Sequence, residues 1–230
     1  MTNATAILIF AQPVARDAVQ KRVAHQALSN RQALQRLTER TRLVARATNL
    51  PVIESAALID HKGSFGEQLD KACRATFSLG YEQILVVAND CPALTTDHLM
   101  KAANRVAQTP VLGPDQRGGL YLIGMTRQVF ESISFLTLPW QTTKLAQAVR
   151  QWLSQRPATL LARLGDVNSH ADLQRYQSGT LAVALFINRL LRLITNALNS
   201  PNGFAPLVRL KGSYAGADSL RPPPVEAPRS

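Results

Sequence analysis

Residues 83–95 read QILVVANDCPALT, and the fold turns on them. Gln83 to Ala88 is a near-continuous apolar run of strand length, and polarity then breaks abruptly at Asn89-Asp90-Cys91-Pro92. A short run without alternation suits a parallel strand covered by helices on both faces, so this segment is expected at the centre of the sheet. On its N-terminal side, Ser64 to Leu79 places Phe65, Leu69, Ala72, Cys73 and Phe77 at three- and four-residue spacings before Gly80, which predicts a capped amphipathic helix. Further back, Ala6 to Phe10 (AILIF) reads as a first strand ending at Gln12-Pro13. Ala15 to Ala47, rich in Ala, Leu, Gln and Arg, predicts one or two helices with a basic outer face, and Pro51 to Ile53 is a second short apolar segment.

On the C-terminal side, Thr95 or Thr96 offers an N-cap for a helix to about Ala107, and Pro110 to Leu112 starts another extended piece. Gly119 to Gly124 reads as a strand, followed by helical signals at 142–153, a strand at 158–163 and a helix at 170–177. Strands alternating with helices imply an α/β sandwich with a mostly parallel sheet over residues 1–178. Beyond Gly179 the character changes. In 181–199 the polar residues Asn188, Arg189, Arg192, Thr195, Asn196 and Asn199 form one narrow arc on an otherwise apolar helix. That helix, with its connector to residue 210, would cover the core, pair with another subunit in a homo-oligomer, or lie peripherally on a membrane. Residues 211–230, rich in Pro, Gly and Ser, read as an extended or disordered tail.

With 230 residues, 46% hydrophobic and 18% charged, the chain can bury one sizeable core, which excludes a wholly disordered protein. The net charge of +11 lies in the flanks: residues 1–50 carry +6, 51–150 carry zero and 151–230 carry +5. A basic balance favours phosphates or acidic surfaces, but with 6% aromatics the basic flanks lack the interleaved rings of a nucleic-acid module, which argues against nucleic acid. Cys73 and Cys91 stand 18 residues apart without a CxxC or clustered His, which fits neither zinc nor a disulfide framework and makes a reducing cytoplasm the simplest expectation. AILIF is too short for a signal-peptide core, and no segment reaches the ~18 uninterrupted apolar residues of a membrane span.

In an open parallel sheet, ligands collect beyond the carboxyl ends of the strands. Three junctions there carry chemistry. After the first strand come Phe10-Ala11-Gln12-Pro13 and the basic residues Arg16, Lys21 and Arg22, suited to a pyrophosphate. After the central strand come Asn89 and Asp90, a carboxylate placed where a Mg²⁺ or Mn²⁺ ion bridging phosphates needs oxygen ligands. After Leu112 comes Gly113-Pro114-Asp115-Gln116-Arg117-Gly118-Gly119, whose glycine pair lets a ligand approach the backbone. Each junction also has a plain structural reading: a capped turn at Asp90, a tight turn at Gly118-Gly119, and solvated charges at Arg16, Lys21 and Arg22. The four histidines share no metal spacing and read as surface or capping groups.

Taken together, FAQP, KGSFGEQLDKA, GYEQILVVANDCPALTTDHLMKA, VLGPDQRGGLYLIGM, LPWQTTKLAQAV and GDVNSHADL resemble a bacterial family of GT-A-like nucleotide-diphospho-sugar transferases. These are the glycosyltransferase-like proteins often labelled selenodomain-associated transferases, and the resemblance runs from about residue 6 to 177. It implies a Rossmann-like GT-A fold that binds a nucleotide sugar, usually with a divalent metal held by the acid after the central strand. Asp90 matches that acid, the aspartate of a G-S-D-C-P motif. Gly63, Gly66 and Glu67 match a G-x-x-G-E segment, Gly118 and Gly119 a D-G-G segment, and Trp140 a tryptophan of the pattern. Asp166 and Asp172 match two acids of a D-x-D-T-x-x-D-L ending.

The departures fall at the ligand end. Against F-A-K-x-P-x-P-G-x-x-K-T-R-L, the chain keeps Phe10, Ala11 and Arg22, but Asp17 replaces the glycine and Gln20 the lysine, leaving Lys21 to substitute from one position away. Arg117 replaces the aspartate of D-G-G, Leu120 an aromatic, and Asn168 the middle acid of the ending. The resemblance implies glycosyl transfer from a nucleotide sugar to an acceptor the sequence does not specify. Asp90 is then the catalytic and metal-holding residue, and Phe10, Ala11, Lys21, Arg22, Asn89, Arg117, Gly118 and Gly119 bind the nucleotide sugar. Arg117 offers a fixed positive charge in place of the metal. Two alternatives stand beside this: a non-catalytic member serving as a binding or membrane-associated scaffold, and a nucleotidyltransferase.

Overall fold

The computed structural model describes residues 4–153 and 157–198, and the expectations for the connector and tail at 199–230 lie outside the described residues. Six strands form one sheet: β1 (Thr5–Phe10), β2 (Val52–Glu54), β3 (Gln83–Ala88), β4 (Val111–Pro114), β5 (Leu120–Thr126) and β6 (Thr159–Leu160), in the order β2-β1-β3-β5-β4-β6. Pairings β1–β2, β1–β3 and β4–β6 are parallel, while β5 runs antiparallel to both β3 and β4. The sheet is thus mostly parallel, with one reversed strand. The reason is local: only five residues separate Pro114 from Leu120, enough for a hairpin but too few for a crossover.

The helices are α1 (Val14–Gln20), α2 (Ala27–Arg46), α3 (Phe65–Ser78), α4 (Thr96–Val106), α5 (Arg127–Ser132), α6 (Leu145–Trp152), α7 (His170–Arg175) and α8 (Leu181–Leu198). The alternation of strand side chains explains why β1 and β3 are apolar on both faces. Ile7, Ile9, Leu85 and Val87 share one face with Leu99, Ala102 and Val106 of α4, while Leu8, Phe10, Ile84 and Val86 share the other with Leu69, Ala72, Cys73 and Phe77 of α3. Helix α3 starts at a capping box, Ser64 with Glu67, and α4 at the Thr95 side chain, which accepts from the His98 N–H.

Helix α8 settles against the body. Val183, Ile187, Leu190 and Ile194 repeat every three or four residues and are buried with Val23, Leu34, Leu37, Val167 and Leu173 of the α1–α2 connection, α2 and the α7 region. Phe186 lies under the Arg40 guanidinium at 5.1 Å. Arg189 and Arg192 are exposed, as are Leu181 and Leu185. Among the described residues no helix is long and apolar enough to cross a membrane.

Candidate functional site

Because β1 and β3 are parallel with Phe10 beside Ala88, both chains leave the sheet at the same edge. A cleft of about 400 Å³ opens there, lined by six separate segments. The first, after β1, supplies Gln12, Asp17, Gln20 and Lys21; the second, after β3, supplies Asn89 and Asp90. The β4–β5 hairpin gives Asp115, Arg117 and Gly119, and the passage into α7 gives Asp166 and Asn168. Phe10, Phe65, Leu69 and Trp140 form an apolar side, with Phe65 at 5.1 Å from Phe10 and 5.5 Å from Trp140 between ring centres.

Lys21 closes the C-terminus of α1, one turn after Asp17, and its Nζ lies 2.8 Å from Asp90 Oδ2 and 3.8 Å from Asp17 Oδ2. Burial works to lower the lysine pKa, but the Asp90 and Asp17 carboxylates outweigh it and hold the ammonium above its ordinary value. The loop that carries Lys21 is clamped by buried Asn30. Its Oδ1 accepts from the Val23 and Ala24 N–H groups, and its Nδ2 donates to the Lys21 and Ala18 carbonyls. Asn89 Nδ2 donates to Thr38 Oγ1 at 2.9 Å and, more weakly, to Asp17 at 3.5 Å. Asp17 is pushed upward chiefly by burial, with the Asp90 charge adding to it.

Arg117 donates to Asp172 and lies 3.8 Å from Asp166. Asp166 is raised by burial first and by the Asp90 charge second. The segment carrying it is fixed to the central loop by the Val167 N–H, which donates to the Asp90 carbonyl at 2.9 Å. Two acid–cation–acid groups result, Asp17, Lys21 and Asp90 in one and Asp166, Arg117 and Asp172 in the other. Asp115 has a structural task, since its Oδ1 accepts from the Arg117 and Gly119 N–H groups and so shapes the hairpin turn. Gly118 adopts φ +89°, and a Cβ there would sit 2.0 Å from the Thr143 carbonyl oxygen, so that position requires glycine.

Of the residues singled out in the sequence, Phe10, Lys21, Asn89, Asp90, Arg117 and Gly119 meet in this cleft. Ala11, Arg22 and Gly118 lie outside its lining. The Ala11 backbone N–H and carbonyl both bond the Ser55 hydroxyl. Arg22 is exposed and contributes its backbone, which bridges to Ser169 through Asn168 and His170, and Gly118 faces a separate groove beside α6. Asp17 and Gln12 were not singled out as site residues, although the break in the phosphate-loop pattern at residue 17 marked the first of them.

Carboxylates on the cleft wall outnumber cations four to two: Asp17, Asp90, Asp115 and Asp166 against Lys21 and Arg117. Among the described residues no group of three or more His, Cys, Asp or Glu is arranged to hold a metal ion. The donor chemistry, hard carboxylate oxygens at Asp90 and Asp166, therefore fits a divalent ion only where phosphate and water supply most of its ligands, as Mg²⁺ prefers.

A mostly parallel sheet flanked by helices, with a charged cleft at its carboxyl edge, is an α/β fold that places its ligand cleft beyond the strand ends. A protein from Desulfovibrio desulfuricans G20 described as a "putative nucleotide-diphospho-sugar transferase" shares it, with a TM-score of 0.64 at 15% identity over 85% of this chain and 98% of its own. More distant are an rv0371c homolog from Mycobacterium sp. strain JC1 (TM-score 0.46, 15% identity, 84% of this chain, all of its own) and a CMP:2-keto-3-deoxy-manno-octonic acid synthetase complexed with CTP (TM-score 0.41, 12% identity, 80% and 99%). The chain belongs to the family described as "Uncharacterized protein conserved in bacteria (DUF2064)", whose model matches residues 9–142. No curated protein matches it.

Proposed function

We propose that the chain binds a nucleotide-diphospho-sugar in this cleft and transfers the glycosyl group to an acceptor. The observation that carries the reading is that Lys21 and Arg117, nearly a hundred residues apart in the sequence, both reach one cleft beside the Asp90 and Asp166 carboxylates and share it with an aromatic side. Two cations in a partly buried setting stabilise the charge that develops on a departing diphosphate. Lys21 takes the place of the family lysine from one position along the chain, and Arg117 pairs with phosphate oxygens through its planar fork. Asp90, with Asp166 beside it, would hold a Mg²⁺ or Mn²⁺ ion, which when bound supplies further positive charge at the diphosphate.

Binding without transfer is the second reading, and one observation favours it: Lys21 is already engaged by Asp17 and Asp90, so a diphosphate must displace those partners. A thermal-shift panel of nucleoside diphosphates and their sugar conjugates, with and without Mg²⁺ or Mn²⁺, tests both. A ligand at ~100 times its Kd adds about 2.7 kcal/mol of stability. A metal-dependent shift lost in Asp90→Ala supports the metal-assisted transferase. A shift that persists without metal, grows in Asp90→Ala as Lys21 is freed, and vanishes in Lys21→Ala supports recognition by the side-chain cations alone. Release of free nucleoside diphosphate from a bound conjugate separates transfer from binding, and a flat panel at millimolar ligand contradicts both readings.

A further inference from the structure

Between Glu131 and Asp166 the sequence has no Asp or Glu, yet it carries Lys144, Arg150, Arg156 and Arg163. Two of these cations, Arg150 and Arg163, meet at the groove beside α6 onto which Gly118 faces. Helix α6 turns Leu145 and Val149 into the core, and the four-residue spacing then sets Ala146 and Arg150 together along the groove. From the other side, the chain leaving β6 runs beside the end of β4. The Leu164 N–H donates to the Pro114 carbonyl at 3.2 Å, and Arg163 Nη1 donates to the Asp115 carbonyl at 3.0 Å. That bond holds the Arg163 guanidinium at the groove and leaves its other N–H groups without a protein partner. Both arginines are exposed, and among the described residues neither meets a carboxylate.

Pro114, Leu120, Ala146 and Leu160 supply the apolar part of the groove. Leu160 is 49% exposed, so hydrocarbon there is open to a ligand rather than sealed in the core. The groove holds about 500 Å³, within the roughly 300–1,000 Å³ typical of small-molecule sites. Two guanidinium groups beside hydrocarbon, with no acid among the described lining residues, select an anion carried on an apolar stem. Two positive charges match the near-double negative charge of a phosphate monoester better than the single charge of a carboxylate, and the planar fork of each arginine fits phosphate oxygens. We infer that the groove is a second ligand site, and that its ligand is a small phosphate monoester on an apolar stem. Arg150 and Arg163 take the phosphate, and the four apolar residues take the stem. The groove shares Leu120 and Thr143 with the cleft but none of its charged groups, so the inference stands whether or not the cleft takes a sugar nucleotide.

The test is calorimetric titration of hexyl phosphate, hexanol, inorganic phosphate and phosphatidic acid vesicles into the full chain and into Arg150→Gln, Leu160→Thr and Lys21→Met. Arg150 and Leu160 are exposed, so both changes leave the core intact, and melting curves check this. Hexyl phosphate is expected to bind saturably, about tenfold or more tighter than hexanol or inorganic phosphate. Arg150→Gln should weaken it about tenfold and Leu160→Thr about threefold, while Lys21→Met, which alters only the cleft, leaves it unchanged. Equal affinity for hexyl phosphate and inorganic phosphate reduces the groove to a bare anion site and overturns the inference. A loss in Lys21→Met without one in Arg150→Gln moves the ligand to the cleft and also overturns it. Binding to vesicles with none to the free monoester makes this face a membrane contact instead, and no binding by the wild type overturns the inference outright.

Discussion

Asp172 shows how much one side chain holds in place at this site. Its Oδ2 accepts from the Asn168 and Ser169 N–H groups and the Ser169 hydroxyl, while Oδ1 takes Arg117 and, at 3.0 Å, Arg175. Burial pushes its pKa up, but the Arg117 bond and the Asn168 and Ser169 donors outweigh this and hold it below the ordinary value of 3.8. A lowered folded pKa contributes stability that is present above the unfolded value and lost as pH falls through the folded one. Asp172→Asn is therefore expected to cost about 1–3 kcal/mol at pH 7, and urea melts should show the gap to wild type narrowing below about pH 4. Lys21 has the opposite sense: raised above 10.5, its contribution persists at neutral pH and disappears only in strong alkali. Cys91 is pushed up to about 12 by burial and Cys73 is raised as well, so neither should react with an alkylating reagent until the chain unfolds, as mass spectrometry of native and denatured protein can show. That Asp90 would stand at the strand end where the cleft opens was legible because it directly follows an unmistakable strand. The meeting of Gln12 and His61 with Gln68 was not, since it depends on how α3 packs against the end of β1, which no local pattern encodes.

At the scale of elements, the sequence located every strand and nearly every helix, because hydrophobic spacing and caps are local signals. Ser64, Thr95, Gly80 and Pro51 all mark boundaries the structure keeps. The reversal of β5 was less visible: a five-residue link implies it, but Gly119 to Gly124 looks the same in either direction. The short connection between α1 and α2 matters most for the cleft, since Asn30 holds it with four hydrogen bonds and thereby places Lys21. Asn30→Ala leaves the Val23 and Ala24 N–H groups buried and unpaired. It should lower stability by about 1–3 kcal/mol and weaken diphosphate binding more than a control substitution of equal cost elsewhere, measured by melting and titration together. Gly118→Ala should destabilise by a similar amount, because both its φ and the Thr143 carbonyl exclude a Cβ.

For the molecule as a whole, α8 decides between covering the core and remaining free for another surface. Ile187 is wholly buried and Val183, Leu190 and Ile194 nearly so, which ties the helix to α2 and α7. Ile187→Ala should cost about 2–5 kcal/mol, a fall in Tm of roughly 2–4 °C per kcal/mol at this size. The amphipathic pattern placed the polar arc, whose Asn188, Arg189, Arg192 and Thr195 are exposed, but which body the apolar remainder would meet was a tertiary fact. The positive flanks and the neutral middle likewise converge: Lys21 from the first third and Arg117 from the centre meet four carboxylates in one cleft. Titration of a nucleoside diphosphate into wild type, Lys21→Met and Arg117→Met tests whether the two cations form one anion site. Saturable binding by the wild type, weakened about tenfold or more in each variant, is the predicted result. No binding at millimolar concentration, or equal binding by all three proteins, would contradict it.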